Sequence, residues 1–299
     1  MRKKDIQISR TDTGIGSKVF DGINYIVLFL FSVTIIIPFW YLFVQSIDNV
    51  SSPTGTIYLW PQEFTIGNYK MVLQSKYIGI AYLNTIFRTI CGTVLSLFFT
   101  SMGAYAISKK CFPNRVFWSV FIIFTMFFSG GLIPNYLWIS KLNLIDSRAV
   151  LILPGLIGAY NLILIRNFFS QIPNELEESA RLDGAGDFSI FLKIILPVSK
   201  PILATVTLWL AVSHWNAWFD CMIYIRNTSK IVLQVVLQRI ILQGTTKELI
   251  NGNEQMIFDS KPEMIKATCI YVATLPILCT YPFLQKYFVK GIYVGSLKG

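Results

Sequence analysis

Two groups of polar residues interrupt a largely apolar sequence. The first lies between Gln171 and Lys200 and contains Glu175, Glu178, Ser179, Ala180, Asp183, Gly184 and Ala185. Its chemistry is that of helix ends. Pro173 suits a first helical turn, where its missing N–H costs nothing. Asn174, Glu175, Glu177 and Glu178 place acidic and polar groups at the positive end of a helix dipole. Leu176 and Ala180 stand one turn apart and share a face. Gly184 and Gly186 supply a stop and a turn. Asp187 or Ser189 then caps a second helix, which Pro197 ends. The product is a short helix–turn–helix elbow, with its first helix at about residues 174–183.

The second group is divided between two apolar runs. Asn84, Thr85 and Arg88 occupy one, and Ser213, His214, Trp215, Asn216, Trp218 and Asp220 end another. Indoles beside an amide and a carboxylate have the chemistry of a sugar site, where rings stack on rings and polar groups bond hydroxyls. The same residues equally suit a membrane interface, where Trp is enriched and polar groups bond neighbouring helices. An arginine in hydrocarbon is costly, so Arg88 faces the bundle in a structural pair or lines a wet cavity. His214 is the only histidine. A zinc site needs Cys or carboxylate partners at suitable spacing, and none accompanies it, so it reads as structural.

The elements that carry these residues are membrane spans. Of the 299 residues, 54% are hydrophobic and 14% charged. A soluble domain carries roughly 25% charged residues, so the bilayer is the natural solvent for the excess apolar surface. Runs long enough to span occur at about 23–46, 80–107, 116–139, 149–168, 202–225 and 267–285. The expected fold is therefore an all-α membrane protein of six transmembrane helices. Residues 1–22 form a polar tail and 23–299 the membrane domain. Lysines and arginines concentrate in alternate connections: Arg2 to Lys18, Lys109 to Arg115, Arg166 to Lys200 and Lys286 to Lys298. The positive-inside rule then puts both termini and the elbow in the cytoplasm.

Two outer segments, about 47–79 and 226–266, are long enough to fold at the membrane surface. The first carries Pro53, Trp60 and Pro61. In the second, Ile231 to Leu242 is apolar but too short to span, which suits an interfacial or bundle-capping helix. Pro38, Pro134, Pro154, Pro276 and Pro282 lie in or near spans and read as kinks. The net charge of +10 sits in short clusters between spans, with no basic stripe. Anionic lipid and topology account for it better than nucleic acid does. Cys91, Cys111, Cys221, Cys269 and Cys279 include no C-x-x-C pair and read as small buried hydrophobes. No cleavable signal, sequence repeat or low-complexity stretch is visible.

The elbow carries a family resemblance. Glu178-Ser179-Ala180, then Asp183-Gly184-Ala185, then Ile194-Ile195-Leu196-Pro197 resembles the "EAA" loop of ATP-binding-cassette importer permeases. Its one departure in the leading triplet is Ser179 for alanine. The chain from about residue 20 onward is similar to the maltose-permease-like carbohydrate-uptake branch. Phe128 to Pro134 and Lys290 to Gly299 resemble a subgroup that imports complex oligosaccharides. The resemblance implies a type I importer permease whose loop 171–200 docks in a groove on an ATPase subunit. Glu178 would face a basic side chain there, and Gly184 would let the elbow turn. It also implies a second homologous permease, two ATPase subunits and an extracellular solute-binding protein as partners. ATP and Mg would sit on the ATPases, and sugar contacts would fall largely to the partner permease.

What the chain lacks agrees with that expectation. There is no G-x-x-x-x-G-K-[ST], H-E-x-x-H, G-x-S-x-G or G-x-G-x-x-G. A membrane-embedded glycosyl or lipid transferase needs clustered carboxylates or a metal site, yet Asp146, Asp220 and Asp259 are scattered. An ion-coupled transporter needs ionisable relays in its spans, and Arg88 alone makes none.

Overall fold

The computed structural model describes residues 15–49, 58–243 and 263–279. Among them the secondary structure is helical, apart from one isolated antiparallel bridge between Asp48 and Phe64. Helix α1 (Ile15–Ser46) opens the fold. It starts earlier than the apolar run implied, so residues 15–22 of the expected tail are helical. It is apolar on all sides and stays largely exposed until its C-terminal end, where Val44 and Ser46 are buried. Pro38 lies inside it without breaking it. At that end the Tyr271 hydroxyl donates to the Phe39 carbonyl at 2.6 Å. Buried Asp48 accepts from the backbone N–H groups of Gln62 and Glu63, each at 3.0 Å. The Asp48 bonds hold residues 62 and 63, shortly before helix α2 (Gly67–Gln74), against the end of α1.

Helix α3 (Lys76–Ser108) is the axis of the molecule. At 1.5 Å per residue its 33 residues reach about 50 Å, enough to cross the roughly 30 Å hydrocarbon layer and project beyond it. Its buried face is rich in small residues: Gly92, Thr93, Ser96, Thr100, Ser101 and Ala104. Without a hydrophobic drive between helices in lipid, small residues let backbones approach and pack. The closest approach is at Gly92. A Cβ there would lie 2.6 Å from His214 Nε2, so only glycine leaves room for the imidazole. That contact is the structural role expected of His214.

The three middle spans are broken rather than straight. Expected span 116–139 is α4 (Arg115–Phe127) and α5 (Leu132–Lys141), bent by 114°. Gly131, with φ +88°, makes the break. Expected span 149–168 begins as tight 3₁₀ turns over Arg148–Gly155 and bends 50° into α6 (Ala159–Phe169). The elbow follows as α7 (Glu175–Leu182) and α8 (Asp187–Val198). An 86° bend then leads into α9 (Lys200–Asn216). Pro201 explains the bend: a continuous helix would need its N–H to bond the carbonyl of Pro197, and proline has none. Expected span 202–225 stops at Asn216 and resumes as α10 (Phe219–Tyr224).

Helix α11 (Leu233–Gln243) buries Val235, Val236 and Ile240, so it caps the bundle rather than floating at the interface. The last described helix, α12, covers residues 263–279. The remainder of the expected sixth span, with Pro282, and the Lys290–Gly299 ending lie outside the described residues, as do Pro53 and Asp259. Two helices, α1 and α3, can cross a bilayer unbroken, and counting each bent pair as one span brings the number to five among the described residues.

Two apolar clusters are strung along α3. One joins its first half to α10, α11 and α12 through Ile78, Ala81, Tyr224, Val236 and Cys269. The other joins its second half to α6, α7, α8 and α9 through Ala104, Tyr105, Ile165, Phe191 and Val206. Cys221 and Cys269 fit the expectation of buried hydrophobes, whereas Cys111 and Cys279 are exposed and Cys91 is half-buried.

Candidate functional site

The elbow is built by local rules. The Asn174 carbonyl accepts the N–H groups of Glu177 and Glu178 at 2.9 and 3.0 Å, which opens α7. Its first turn holds Glu175, Glu177 and Glu178, where carboxylates favour the helix dipole. At the other end, Gly184 N–H donates to the Arg181 carbonyl at 3.0 Å and Ala185 N–H to the Ala180 carbonyl at 2.9 Å. That paired pattern is a Schellman stop, and it requires the left-handed φ of +82° that Gly184 adopts. Gly186 needs no such freedom, with φ −74°, and it rather than Asp187 or Ser189 holds the cap position of α8. The Asp187 carboxylate instead pairs with Arg181 across the turn.

The faces of α7 separate two roles. Ala180 is buried and Ala185 half-buried against the inner cluster. Glu175, Glu178, Ser179, Asp183 and Gly184 are exposed. Leu176 stands one turn from Ala180, and the two were expected to share a face. Leu176 is 44% exposed, and Glu177 takes the inward place, 7% exposed. The geometry allows either, since residues three and four positions back both neighbour Ala180. The Glu177 carboxylate is met by the ammonium of Lys109 and, at 3.5 Å, by the Tyr105 hydroxyl. Leu182 stands out on the opposite side at 89% exposure. Between the elbow and the connection of α3 to α4 lies a cleft of about 610 Å³ edged by Lys110, Arg115, Glu175 and Glu178.

The second group of polar residues is fastened to the chain itself. Arg88, 4% exposed, reaches Asp220 with both terminal nitrogens and the Ala217 carbonyl at 3.2 Å. Asn84 donates to the carbonyls of Ser229 and Ile231 at 2.9 and 3.0 Å and accepts from Arg148 at 3.2 Å. Thr85 accepts from Leu233 N–H at 2.8 Å. These bonds latch the first half of α3 to the break between α9 and α10 and to the start of α11. Trp215 is buried, with its indole N–H bonded to the Ala273 carbonyl at 3.3 Å and its ring edge-on to Tyr82. Trp215 is thus held against its own chain, with its buried indole N–H partnered as such a group requires. Trp218 is half-buried and Asn216 exposed.

The model of the family described as "Binding-protein-dependent transport system inner membrane component" matches residues 110–292, which include the whole elbow. The chain belongs to this family. Its members are transport permeases without a catalytic site, and ATP is hydrolysed by separate ATPase subunits. That sets aside the transferase reading. The permease is 38% identical over 95% of its length to the polygalacturonan/rhamnogalacturonan transport system permease of Bacillus subtilis, covering 99% of that protein. It is 26% identical to the arabinooligosaccharides transport system permease of the same organism, over 80% of this chain and 81% of that one. Among solved structures it matches a bacterial importer of the acidic polysaccharide alginate. The TM-score is 0.85 at 35% identity, covering 93% of this permease and 99% of that chain. The fold is therefore that of a type I importer permease.

Glu177, Lys109, Tyr105 and the Arg181–Asp187 pair did not stand out in the sequence as site residues. The available signal was the spacing of Glu177, Ala180 and Arg181 on one helical face. Asp220 stood out, but nothing local named Arg88 as its partner.

Proposed function

We propose that this permease carries an acidic oligosaccharide across the bacterial plasma membrane, with the elbow as the docking site for an ATPase subunit. The observation that carries the docking role is the outward face of α7. It presents Leu182 beside Glu175 and Glu178 on a helix whose other side is packed and ion-paired. An exposed leucine on an otherwise charged helix fits a groove in a partner. The acidic class of cargo is supported by two relatives above 30% identity, one named for polygalacturonan and rhamnogalacturonan and one for alginate.

In this reading the chain makes six spans with both termini in the cytoplasm. It works with a second homologous permease, two ATPase subunits holding ATP and Mg, and an extracellular binding protein. Inward movement of the docked helix on ATP binding tilts the bundle from inward-facing to outward-facing. Loop 171–200 is the coupling segment.

The test is competitive uptake by vesicles containing the assembled transporter and its binding protein. Unsaturated oligogalacturonates or oligoalginates should block entry of labelled acidic oligosaccharide, while maltotriose at equal concentration should not. Equal competition by neutral maltotriose would overturn the acidic assignment.

A further inference from the structure

The inward side of α7 is tied to α3 by charge. The Lys109 ammonium lies 4.2 Å from the centroid of the Tyr105 ring and pairs with Glu177. Their side chains are only 19% and 10% exposed. Tyr105 is itself gripped by the aromatic rings of Phe191, at 5.4 Å, and Phe169, at 6.4 Å. Lys109 ends α3, where a cation is favoured, and Glu177 sits in the first turn of α7, where an anion is favoured. Each charge therefore belongs to its own helix end, and the two ends meet. By contrast the Arg181–Asp187 pair is 52% and 72% exposed, open to solvent screening, and holds the elbow only to itself.

We propose that the Tyr105–Lys109–Glu177 cluster is the positioning device that makes α7 and α3 travel as one body during transport. This rests on the reading of α7 as the docking helix. Burial is what gives the pair this capacity. A desolvated, hydrogen-bonded ion pair resists separation far more than a solvated one, because parting strands two charges away from water. Helix α3 then delivers the movement to its far half, where Arg88 and Asn84 grip α10 and the approach to α11. Lys109 and Arg88 are 21 positions apart in the sequence, about 31 Å along a helix. A push on α7 reaches the outer half of the bundle through one rigid element.

The experiment uses the complete transporter in liposomes with binding protein present, and reads sugar imported per ATP hydrolysed. K109M and E177Q should lower that ratio about tenfold while ATPase subunits still co-purify, and K109R should keep it within about twofold. In a C111S background, the K109C/E177C variant is cross-linked by oxidation. Transport should persist in the cross-linked form, since the two helices are not required to part. Wild-type ratios in both K109M and E177Q would overturn the proposal. So would oxidation that stops transport and reduction that restores it, and the cross-link decides the matter even if the single variants fold poorly. The docking reading fails separately: L182D would then leave ATPase co-purification unchanged.

Discussion

Replacing Asp220 by asparagine tests whether the Arg88 contact is a latch or a sugar site. The substitution keeps the shape of Asp220 but removes its charge. Arg88 cannot shed its proton, so it remains a cation at 4% exposure, left with neutral acceptors such as the Ala217 carbonyl at 3.2 Å. Removing one member of a buried pair costs roughly 3–5 kcal/mol. The Asp220 side chain is 32% exposed, which puts D220N at the low end, about 3 kcal/mol. For a chain of 299 residues the unfolding midpoint should fall by roughly 5 °C. The double variant R88M/D220L leaves no charge behind and should recover most of that loss, since apolar replacement of a buried pair is often close to neutral. The assay is the thermal midpoint of purified transporter in detergent, with uptake measured alongside. If D220N melts like wild type, or if R88M/D220L is no better than D220N, the latch is wrong. If R88M/D220L is stable and still transports, but with an altered preference among competing sugars, the pair touches cargo instead.

Two further outcomes follow from the same structure. G92A places a methyl group within 2.6–2.9 Å of three His214 ring atoms, and should destabilise the α3–α9 contact by about 1–3 kcal/mol. The G92A/H214A pair should lose less than the sum of its parts in a double-mutant cycle of thermal midpoints, and strict additivity would refute the contact. Asp146 is held below the ordinary carboxylate range, first by the Asn227 backbone N–H and then by the Arg226 N–H and Lys230. Its depressed folded value makes its contribution complete at neutral pH and lost as pH falls through that value. Amide exchange at Arg226 and Asn227, corrected for intrinsic rates, should accelerate below about pH 4 in wild type and be insensitive to that pH step in D146A.

The elbow shows how far sequence reading carries. The glutamates and Gly184 act within one turn of themselves, so helix stop and turn were legible without any tertiary contact, whereas Pro173 lies just before the helix rather than in its first turn. The breaks in the middle spans were only half legible. Gly130, Gly131, Pro197 and Pro201 mark them, but an apolar run long enough to span gives no account of its angle. The bends of 114° and 86° depend on what each half packs against.

The sequence by itself determined the solvent, the helical character and the elbow, because composition and short-range spacing decide burial in lipid and the conformation of a turn. The tertiary structure alone decided which charges meet. Arg88 finds Asp220 across 132 positions and Lys109 finds Glu177 across 68. Over such separations the chain imposes no geometry of its own. A buried charge takes the partner that packing brings within reach, and only the folded bundle places these groups side by side.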